Sequence, residues 1–243
     1  MNVVIVKNYK EISVRATQLV TDQIAKKKNT VLGLATGQTP VGMYQELVRK
    51  FQQGEIDFSQ VVTFNLDEYY GLSPEHPQSY YYFMWDTFFQ YINIKEENVH
   101  LLNGDTENID GECQHYEYLI QKNGGIDLQI LGIGDNGHLG FNEPAIGLNS
   151  KTHLVNLSEE TIQANSQYFN NIQEVPRQAL TMGIGTIMKA QKIILLANGR
   201  KKAHVIERTI NGPVSTEVPA TVLQLHNDVT LLIDQEAGSI LIK

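Results

Sequence analysis

Six short apolar runs, spread along the whole chain, constrain the fold more than any other feature of the sequence. Each run has about the length of a strand and places Val, Ile and Leu on consecutive positions, as strands buried on both faces do. Segments with apolar residues at helical spacing separate them. The runs are NVVIV (2–6), TVLGLA (30–35), VVTFNL (61–66), DLQILGIG (127–134), KIILLA (192–197) and VTLLID (229–234).

This alternation predicts parallel strands joined by right-handed crossovers. One intervening helix is indicated by apolar residues between Ile12 and Ile24, and a second by those between Met43 and Phe51. No Pro-, Gly- or Ser-rich linker divides the chain. The sequence therefore predicts one α/β domain over residues 1–243, with a doubly wound, mostly parallel, Rossmann-like sheet covered by helices on both faces.

The charge balance and the cysteine content limit the binding partners and the cellular compartment that can be expected. The chain has 27 Asp and Glu against 19 Lys and Arg, which argues against nucleic acid or an anionic membrane as a partner. The single cysteine, Cys113, has no partner for an internal disulfide or a structural zinc site. Neither a leader nor a long apolar stretch is visible. We expect a cytoplasmic protein with no nucleic-acid or membrane partner.

The stretch ILGIGDNGHLGFNEP (130–144) has its first three glycines in the spacing of a dinucleotide-binding motif. That motif needs a helix that opens at the third glycine, whereas further Gly and Pro residues here predict an extended loop. Glu159 and Glu160 lie about where a ribose-binding acid belongs. They are better explained as the first turn of a helix capped by Ser158. We therefore expect no nucleotide or other cofactor.

Three loops that follow predicted strands carry polar groups, and such loops gather at one edge of the sheet. The first is ATGQTP, where Thr39 is expected to cap a helix that begins at Pro40. The backbone at Thr36, Gly37, Gln38 and Thr39 is a candidate anion cradle. It is not a Walker loop, and an ordinary capped turn is the alternative. Arg200, Lys201 and Lys202 follow another strand at the same edge, and one of them could reach a phosphate on this loop.

The second loop contains Asp67 and Glu68. Adjacent residues of an extended chain point to opposite faces, so only one of the two carboxylates can face a given cleft. An apolar wall would raise that carboxylate's pKa toward the range useful for proton abstraction. A structural role at the end of the strand is the alternative.

The third loop holds Asn136, His138 and Glu143. A histidine oriented by a carboxylate can carry protons near neutral pH, and a histidine satisfied by backbone groups is the alternative. No metal is expected, because the spacing is not that of a zinc site. Without a nucleophilic Ser motif, acid/base chemistry on a small phosphorylated sugar is favoured over covalent catalysis.

Five motifs of the sequence resemble those of the glucosamine-6-phosphate deaminase (glucosamine/galactosamine-6-phosphate isomerase) family: LGLATGQTP, VTFNLDEYYGL, HPQSYYYFM, LGIGDNGHLGFNEP and ALTMGIGT. Members convert D-glucosamine 6-phosphate and water to D-fructose 6-phosphate and ammonia in amino-sugar catabolism, without a redox cofactor. The resemblance runs from near the N-terminus to about Asp234.

The resemblance implies roles for these residues. Asp67 would move the C2 proton to C1 through a cis-enolamine, and His138 would open the sugar ring with Glu143 and Asn136 tuning it. The phosphate would bind Thr36 to Thr39 and Lys202. A mobile lid, here near 157–180, carries a phosphate-binding arginine in the family segment NSRxF. This chain reads NSQYF, with Gln167 in the arginine's place.

The resemblance also bears on regulation. Allosteric members are hexamers that hold N-acetylglucosamine 6-phosphate with an Arg and a Lys, where this chain has His153 and Val155. Lys151 is the nearest cation, and the chain stops at Lys243 without the longer tail of those members. We expect no such activation, and a monomer or small homo-oligomer.

Two alternatives remain from other classes of function. A lactonase of the same fold would also use a phosphate loop and a histidine. A sugar-phosphate sensor in a transcription regulator would need a DNA-binding module, for which the start of the first strand near Met1 is expected to leave no room.

Overall fold

Seven strands form one parallel sheet in the computed structural model, which describes residues 1–242. The order across the sheet is β1-β10-β9-β6-β2-β3-β5, and three further strands form an antiparallel sheet in the order β4-β8-β7. In chain order the strands are β1 (Asn2–Val6), β2 (Val31–Leu34), β3 (Val62–Asn65), β4 (Asp67–Tyr69), β5 (Val99–His100), β6 (Leu128–Leu131), β7 (His153–Asn156), β8 (Gln178–Thr181), β9 (Lys192–Ala197) and β10 (Val229–Asp234).

Helices cover the parallel sheet, and four of them, the first, third, fourth and fifth along the chain, begin with a side-chain cap. The side chain of Asn8 accepts a hydrogen bond from the N–H of Glu11 at the start of the first helix. Ser158 caps the fifth helix in the same way, as predicted, by accepting from the N–H of Thr161. The α-helices are α1 (Tyr9–Lys26), α2 (Gln38–Gln52), α3 (Tyr80–Thr87), α4 (Ile109–Lys122), α5 (Glu159–Asn165), α6 (Ile184–Ile187) and α7 (Ala203–Asn211).

Consecutive residues of the parallel strands pack into different cores. In β9, Ile193 and Leu195 belong to a core that includes residues of α4 and α7. Ile194 and Leu196 belong to a second core, with residues of α1 and α2. The sheet is therefore buried on both faces, as the consecutive apolar positions predicted.

The predicted fold class is confirmed. Each of the six apolar runs contains a strand of the parallel sheet, and α1 and α2 occupy the two predicted helical segments. The antiparallel sheet was not predicted. None of the helices described between residues 1 and 242 combines the length and apolar character needed to cross a bilayer.

The start of α2 differs from the prediction. The helix begins at Gln38 rather than Pro40, and its N-cap is Gly37 rather than Thr39. Gly37 has φ 89° and ψ −177°, a conformation that residues with a Cβ rarely adopt. This glycine, rather than a hydroxyl cap, turns the chain from β2 into the helix.

The order of the strands reverses between β2 and β6. From β2 the chain continues to β3 on one side, and β6 later pairs with β2 on its other side. Open α/β sheets bind ligands at the carboxyl ends of such a pair, because the two crossovers leave a crevice there. The loops after β2 and β6 are the predicted cradle and the His138 loop.

Candidate active site

A pocket of about 300 Å³ opens at this crevice. The loops after β2, β6 and β9 border it, together with β4 and one side of α5. Glu143 lies behind the wall, next to His138. The residues that were predicted from the sequence and line the pocket are Thr36, Gly37, Gln38, Thr39, Asp67, Asn136, His138 and Lys202.

The candidate anion cradle is the turn from β2 into α2. The first N–H groups of a helix have no intrahelical acceptor and carry a partial positive charge, so they suit a phosphate. Thr39 donates its hydroxyl to Oδ1 of Asn198 at 3.2 Å, across the carboxyl ends of the strands. That bond ties the cradle to the loop after β9.

Lys202 reaches the pocket from the other side of the crevice. It ends a short 3₁₀ turn (Arg200–Lys202) that follows β9 and leads into α7. Its Nζ lies 2.5 Å from Oδ1 of Asp135, in the loop after β6. The pocket therefore contains an ion pair beside the candidate cradle, and the sequence alone did not indicate it.

Asp67 is the buried carboxylate of the pocket. It begins β4, pairs with Thr181 of β8, and is 5% exposed. No hydrogen bond to its carboxylate is found among residues 1–242. Burial, reinforced by the nearby negative charge of Glu68, raises the pKa of Asp67 to about 8. Asp67 therefore has the buried surroundings and the raised pKa that the sequence analysis predicted for a general base.

Glu68 has a different environment. Its carboxylate accepts the backbone N–H groups of Tyr69, Tyr80 and Tyr81 at 2.8, 2.9 and 2.8 Å. Two of those donors open α3, and the ring of Tyr80 lines the pocket. Glu68 thereby fastens α3 to the strand that carries Asp67.

His138 lies across the pocket, with 22% of its side chain exposed. Its backbone N–H donates to Oδ1 of Asn136 at 3.1 Å, and the amide of Asn136 donates to Oε2 of Glu143 at 2.9 Å. The imidazole Nδ1 is 3.7 Å from the same Oε2. Asn136 therefore connects the backbone of His138 with the carboxylate that faces its ring.

Glu143 is held in its ionised form. Burial opposes ionisation, but the adjacent imidazole of His138 and the donors Thr161 and Asn136 outweigh it and lower the pKa of Glu143 to about 2. Ser158 adds a hydroxyl bond at 3.1 Å. Glu143 therefore presents a fixed negative charge to the imidazole of His138.

Two glycines shape the loop that carries His138. A Cβ on Gly134 would fall 2.2 Å from Cε1 of the imidazole. A Cβ on Gly140 would fall 3.1 Å from Oδ2 of Asp67, and φ at this glycine is +59°. Gly134, in the motif that resembles a nucleotide-binding sequence, thus leaves room for His138, and Gly140, just after that motif, leaves room for Asp67.

Gln167 does not line the pocket in this conformation. It is exposed in the 3₁₀ turn Ser166–Tyr168, and its amide donates to the carbonyl of Ala164 at 2.8 Å. Segment 157–180 ends within β8, and its residues Leu157, Ile162 and Val175 pack in a small apolar core with Tyr69 of β4 and Ala179 of β8. From this segment, Glu160, Thr161, Ala164 and Asn165 line the pocket. Movement of the segment as a lid, and a contact between Gln167 and a ligand, stay predictions.

Sequence reasoning missed several contributors. Tyr80 and Thr161 were not singled out, and Asp135 was given no role, although it lies in the stretch 130–144. Tyr80 lies in the motif HPQSYYYFM, which resembles the family, and this was the one available signal. Thr161 acts through a contact with Glu143 that the sequence spacing does not reveal.

Fold and pocket together define an open α/β protein with a pocket of small-molecule size at the carboxyl edge of its sheet. The pocket offers a candidate anion cradle, a buried carboxylate and a histidine beside an ionised glutamate. No group of three or more His, Cys, Asp or Glu side chains in residues 1–242 is arranged to hold a metal ion.

Comparison with known proteins identifies the family. Residues 8–232 match the family model of glucosamine-6-phosphate isomerases/6-phosphogluconolactonase, and the chain belongs to this family. A glucosamine-6-phosphate deaminase of Thermoanaerobacter sp. (strain X514) is 60% identical over 99% of this chain and 95% of the relative. That of Halothermothrix orenii is 57% identical over 99% of this chain and 100% of the relative.

Solved structures agree with this assignment. A monomeric glucosamine-6-phosphate deaminase superposes with a TM-score of 0.96 at 46% identity, covering 99% of this chain and 100% of that chain. A 6-phosphogluconolactonase from Thermotoga maritima gives a TM-score of 0.76 at 18% identity, covering 96% and 98%. The second likeness shows the fold alone.

Proposed function

We propose that this chain is a glucosamine-6-phosphate deaminase, which converts D-glucosamine 6-phosphate and water to D-fructose 6-phosphate and ammonia. The observation that carries the proposal is the position of Asp67, a buried carboxylate with a raised pKa, in one pocket with His138 and a phosphate cradle. The deaminases that are 52–60% identical over nearly the full chain support it.

The substrate phosphate binds the cradle from Thr36 to Thr39 and the ammonium group of Lys202. Backbone N–H groups and the helix N-terminus supply donors on one side, and Lys202 supplies a full charge on the other. This places the sugar chain across the pocket, with its reacting carbons toward Asp67 and His138.

His138 opens the sugar ring by moving a proton between the ring oxygen and the anomeric hydroxyl. Glu143 stabilises the imidazolium that forms, and Asn136 holds the loop. Because Asn136 is neutral, Glu143 supplies the negative charge at this position.

Asp67 then takes the proton from C2 and returns it to C1, through a cis-enolamine. A base with a raised pKa binds the proton more strongly, which favours its removal from carbon. The resulting imine at C2 adds water and releases ammonia, which leaves the ketose.

A lactonase is the second candidate, because members of the same family model carry that name. The two activities separate in one experiment. The purified protein is given glucosamine 6-phosphate, and ammonia and fructose 6-phosphate are measured in parallel; a second sample is given 6-phosphogluconolactone. We expect ammonia and fructose 6-phosphate at equal rates and no lactone hydrolysis above background. Lactone hydrolysis without ammonia release would overturn the proposal.

Two further features belong to this proposal. Segment 157–180 closes over the bound sugar as a lid. The protein acts as a monomer or small homo-oligomer, supported by its likeness to a structure described as monomeric. Light scattering at assay concentration measures the oligomeric state.

A further inference from the structure

Lys202 is the only lysine or arginine that lines the pocket among residues 1–242. Gln167, which stands where the family resemblance implies a phosphate-binding arginine, brings no charge. The pocket also contains the exposed carboxylates of Asp135 and Glu160. For a phosphate dianion this charge balance is unusual, because one cation faces two acids.

That single cation is already engaged. Nζ of Lys202 is 2.5 Å from Oδ1 of Asp135, and the two side chains are 22% and 55% exposed. No other ion pair of Lys202 is described in residues 1–242. Asp135 belongs to the loop after β6, one residue before Asn136, so it occupies the same edge of the pocket as the candidate phosphate site.

From this geometry we propose that Asp135 is an internal competitor for Lys202, a specificity-determining residue that weakens phosphate binding in this chain. The proposal rests on the assignment of Lys202 and the cradle as the phosphate site. An ammonium group has three N–H donors, so the phosphate either displaces the Asp135 carboxylate or shares Lys202 with it. Displacement costs the ion pair, and sharing places two anions side by side, so both reduce affinity.

The size of the effect follows from the exposure of the pair. Ion pairs that water reaches contribute little, typically well under a factor of ten in an equilibrium constant. Removing the charge of Asp135 should therefore tighten phosphate binding by about two- to fivefold. Asp135→Asn keeps the shape of the side chain and removes only the charge.

The first test needs no catalysis. Inorganic phosphate is titrated into the full chain by calorimetry at fixed ionic strength, using the unaltered protein, Asp135→Asn and the matched control Asp105→Asn. Asp105 is exposed, lies outside the pocket lining, and has no ion pair described in residues 1–242. We expect a Kd for phosphate about two- to fivefold lower in Asp135→Asn, and unchanged in the control.

The second test uses the reaction. With glucosamine 6-phosphate, Asp135→Asn should lower KM by a similar factor and change kcat by less than about twofold, because the pair lies at the phosphate rather than at the reacting carbons. A general loss of structure would instead reduce kcat. In a Lys202→Gln background the gain from Asp135→Asn should disappear, since the competition acts through that ammonium group.

The measured Kd values decide whether Asp135 competes with phosphate for Lys202 or positions Lys202 for binding. A higher Kd for phosphate in Asp135→Asn would mean that Asp135 holds Lys202 in its binding position, and would overturn the proposal. So would an unchanged Kd, or a gain that persists in Lys202→Gln. If the protein releases no ammonia but binds phosphate more tightly as Asp135→Asn, the proposed reaction fails and the role of Asp135 stands.

Discussion

Asp67 and Glu68 are adjacent in β4, yet their carboxylates lie in opposite environments. Glu68 accepts three backbone N–H groups and fastens α3. Asp67 faces the pocket, with no donor described for its carboxylate in residues 1–242. The alternation of an extended strand separates the two acids, so one stabilises the wall of the pocket while the other has no hydrogen bond that competes with a proton.

The first prediction concerns stability. The pKa of Asp67 is raised by burial to about 8, against an ordinary value of 3.8. The folded protein therefore binds this proton more tightly than the unfolded chain, so the free energy of unfolding falls as pH rises from about 4 to about 8, where the unfolded chain loses the proton and the folded protein keeps it. Asp67→Asn removes that penalty. We expect its stabilisation to be small near pH 4 and to exceed about 1 kcal/mol at pH 8, which is roughly 2–4 °C in Tm.

Asp127→Asn is the matched control for that measurement. Asp127 is also buried, but it accepts hydrogen bonds from Lys27, Thr30 and Val31. Removing a charge with satisfied partners should lower Tm at pH 8. Thermal unfolding of both variants between pH 4 and pH 8 gives the comparison. A lower Tm for Asp67→Asn at pH 8 would contradict a penalty from buried charge.

The second prediction concerns Gln167 in segment 157–180, the proposed lid. Gln167→Arg should lower KM for glucosamine 6-phosphate by severalfold, because a guanidinium makes charge-assisted, bidentate bonds to phosphate that an amide cannot. Gln163→Arg is the control, since it adds the same charge at an exposed position of α5. Steady-state kinetics at constant ionic strength measure the difference. An unchanged or higher KM would show that Arg200 or Lys201 already supplies this contact, or that the lid closes differently.

The third prediction concerns regulation. Burial lowers the pKa of His153, so this side chain is neutral at pH 7, and Val155 of β7 cannot donate to phosphate. An activator that does not bind one conformational state of the protein better than the other cannot shift the equilibrium between them. Rate curves should therefore be hyperbolic, and N-acetylglucosamine 6-phosphate should leave their shape unchanged. Sigmoidal curves that become hyperbolic on its addition would refute this.

The parallel sheet was predictable because its strands are buried on both faces. In runs such as KIILLA (192–197) the apolar residues are consecutive, so they show neither the two-residue period of a half-buried strand nor the 3.6-residue period of a helix. The shortness of these runs distinguishes them from helices. The antiparallel sheet was not predictable in the same way. Its strands β4, β7 and β8 are three or four residues long and carry polar side chains, and their pairing joins segments far apart in the sequence.

The candidate site was partly predictable for a similar reason. Loops that follow parallel strands must meet at one edge, so the positions of Asp67, His138 and Lys202 followed from strand order and the motifs. The partner of each side chain did not. The bond from Thr161 to Glu143 and the pairing of Asp135 with Lys202 depend on how α5 and the 3₁₀ turn pack, which no local pattern encodes.

The role of Asp67 as the general base is tested most directly by the turnover of Asp67→Asn on glucosamine 6-phosphate, measured as ammonia released at saturating substrate. The amide keeps the shape of the carboxylate but cannot accept the C2 proton. We expect kcat to fall by roughly a hundredfold or more, with the Kd for inorganic phosphate unchanged because the cradle and Lys202 are untouched. A near-normal kcat in a folded variant would contradict it, and another group would have to carry the proton.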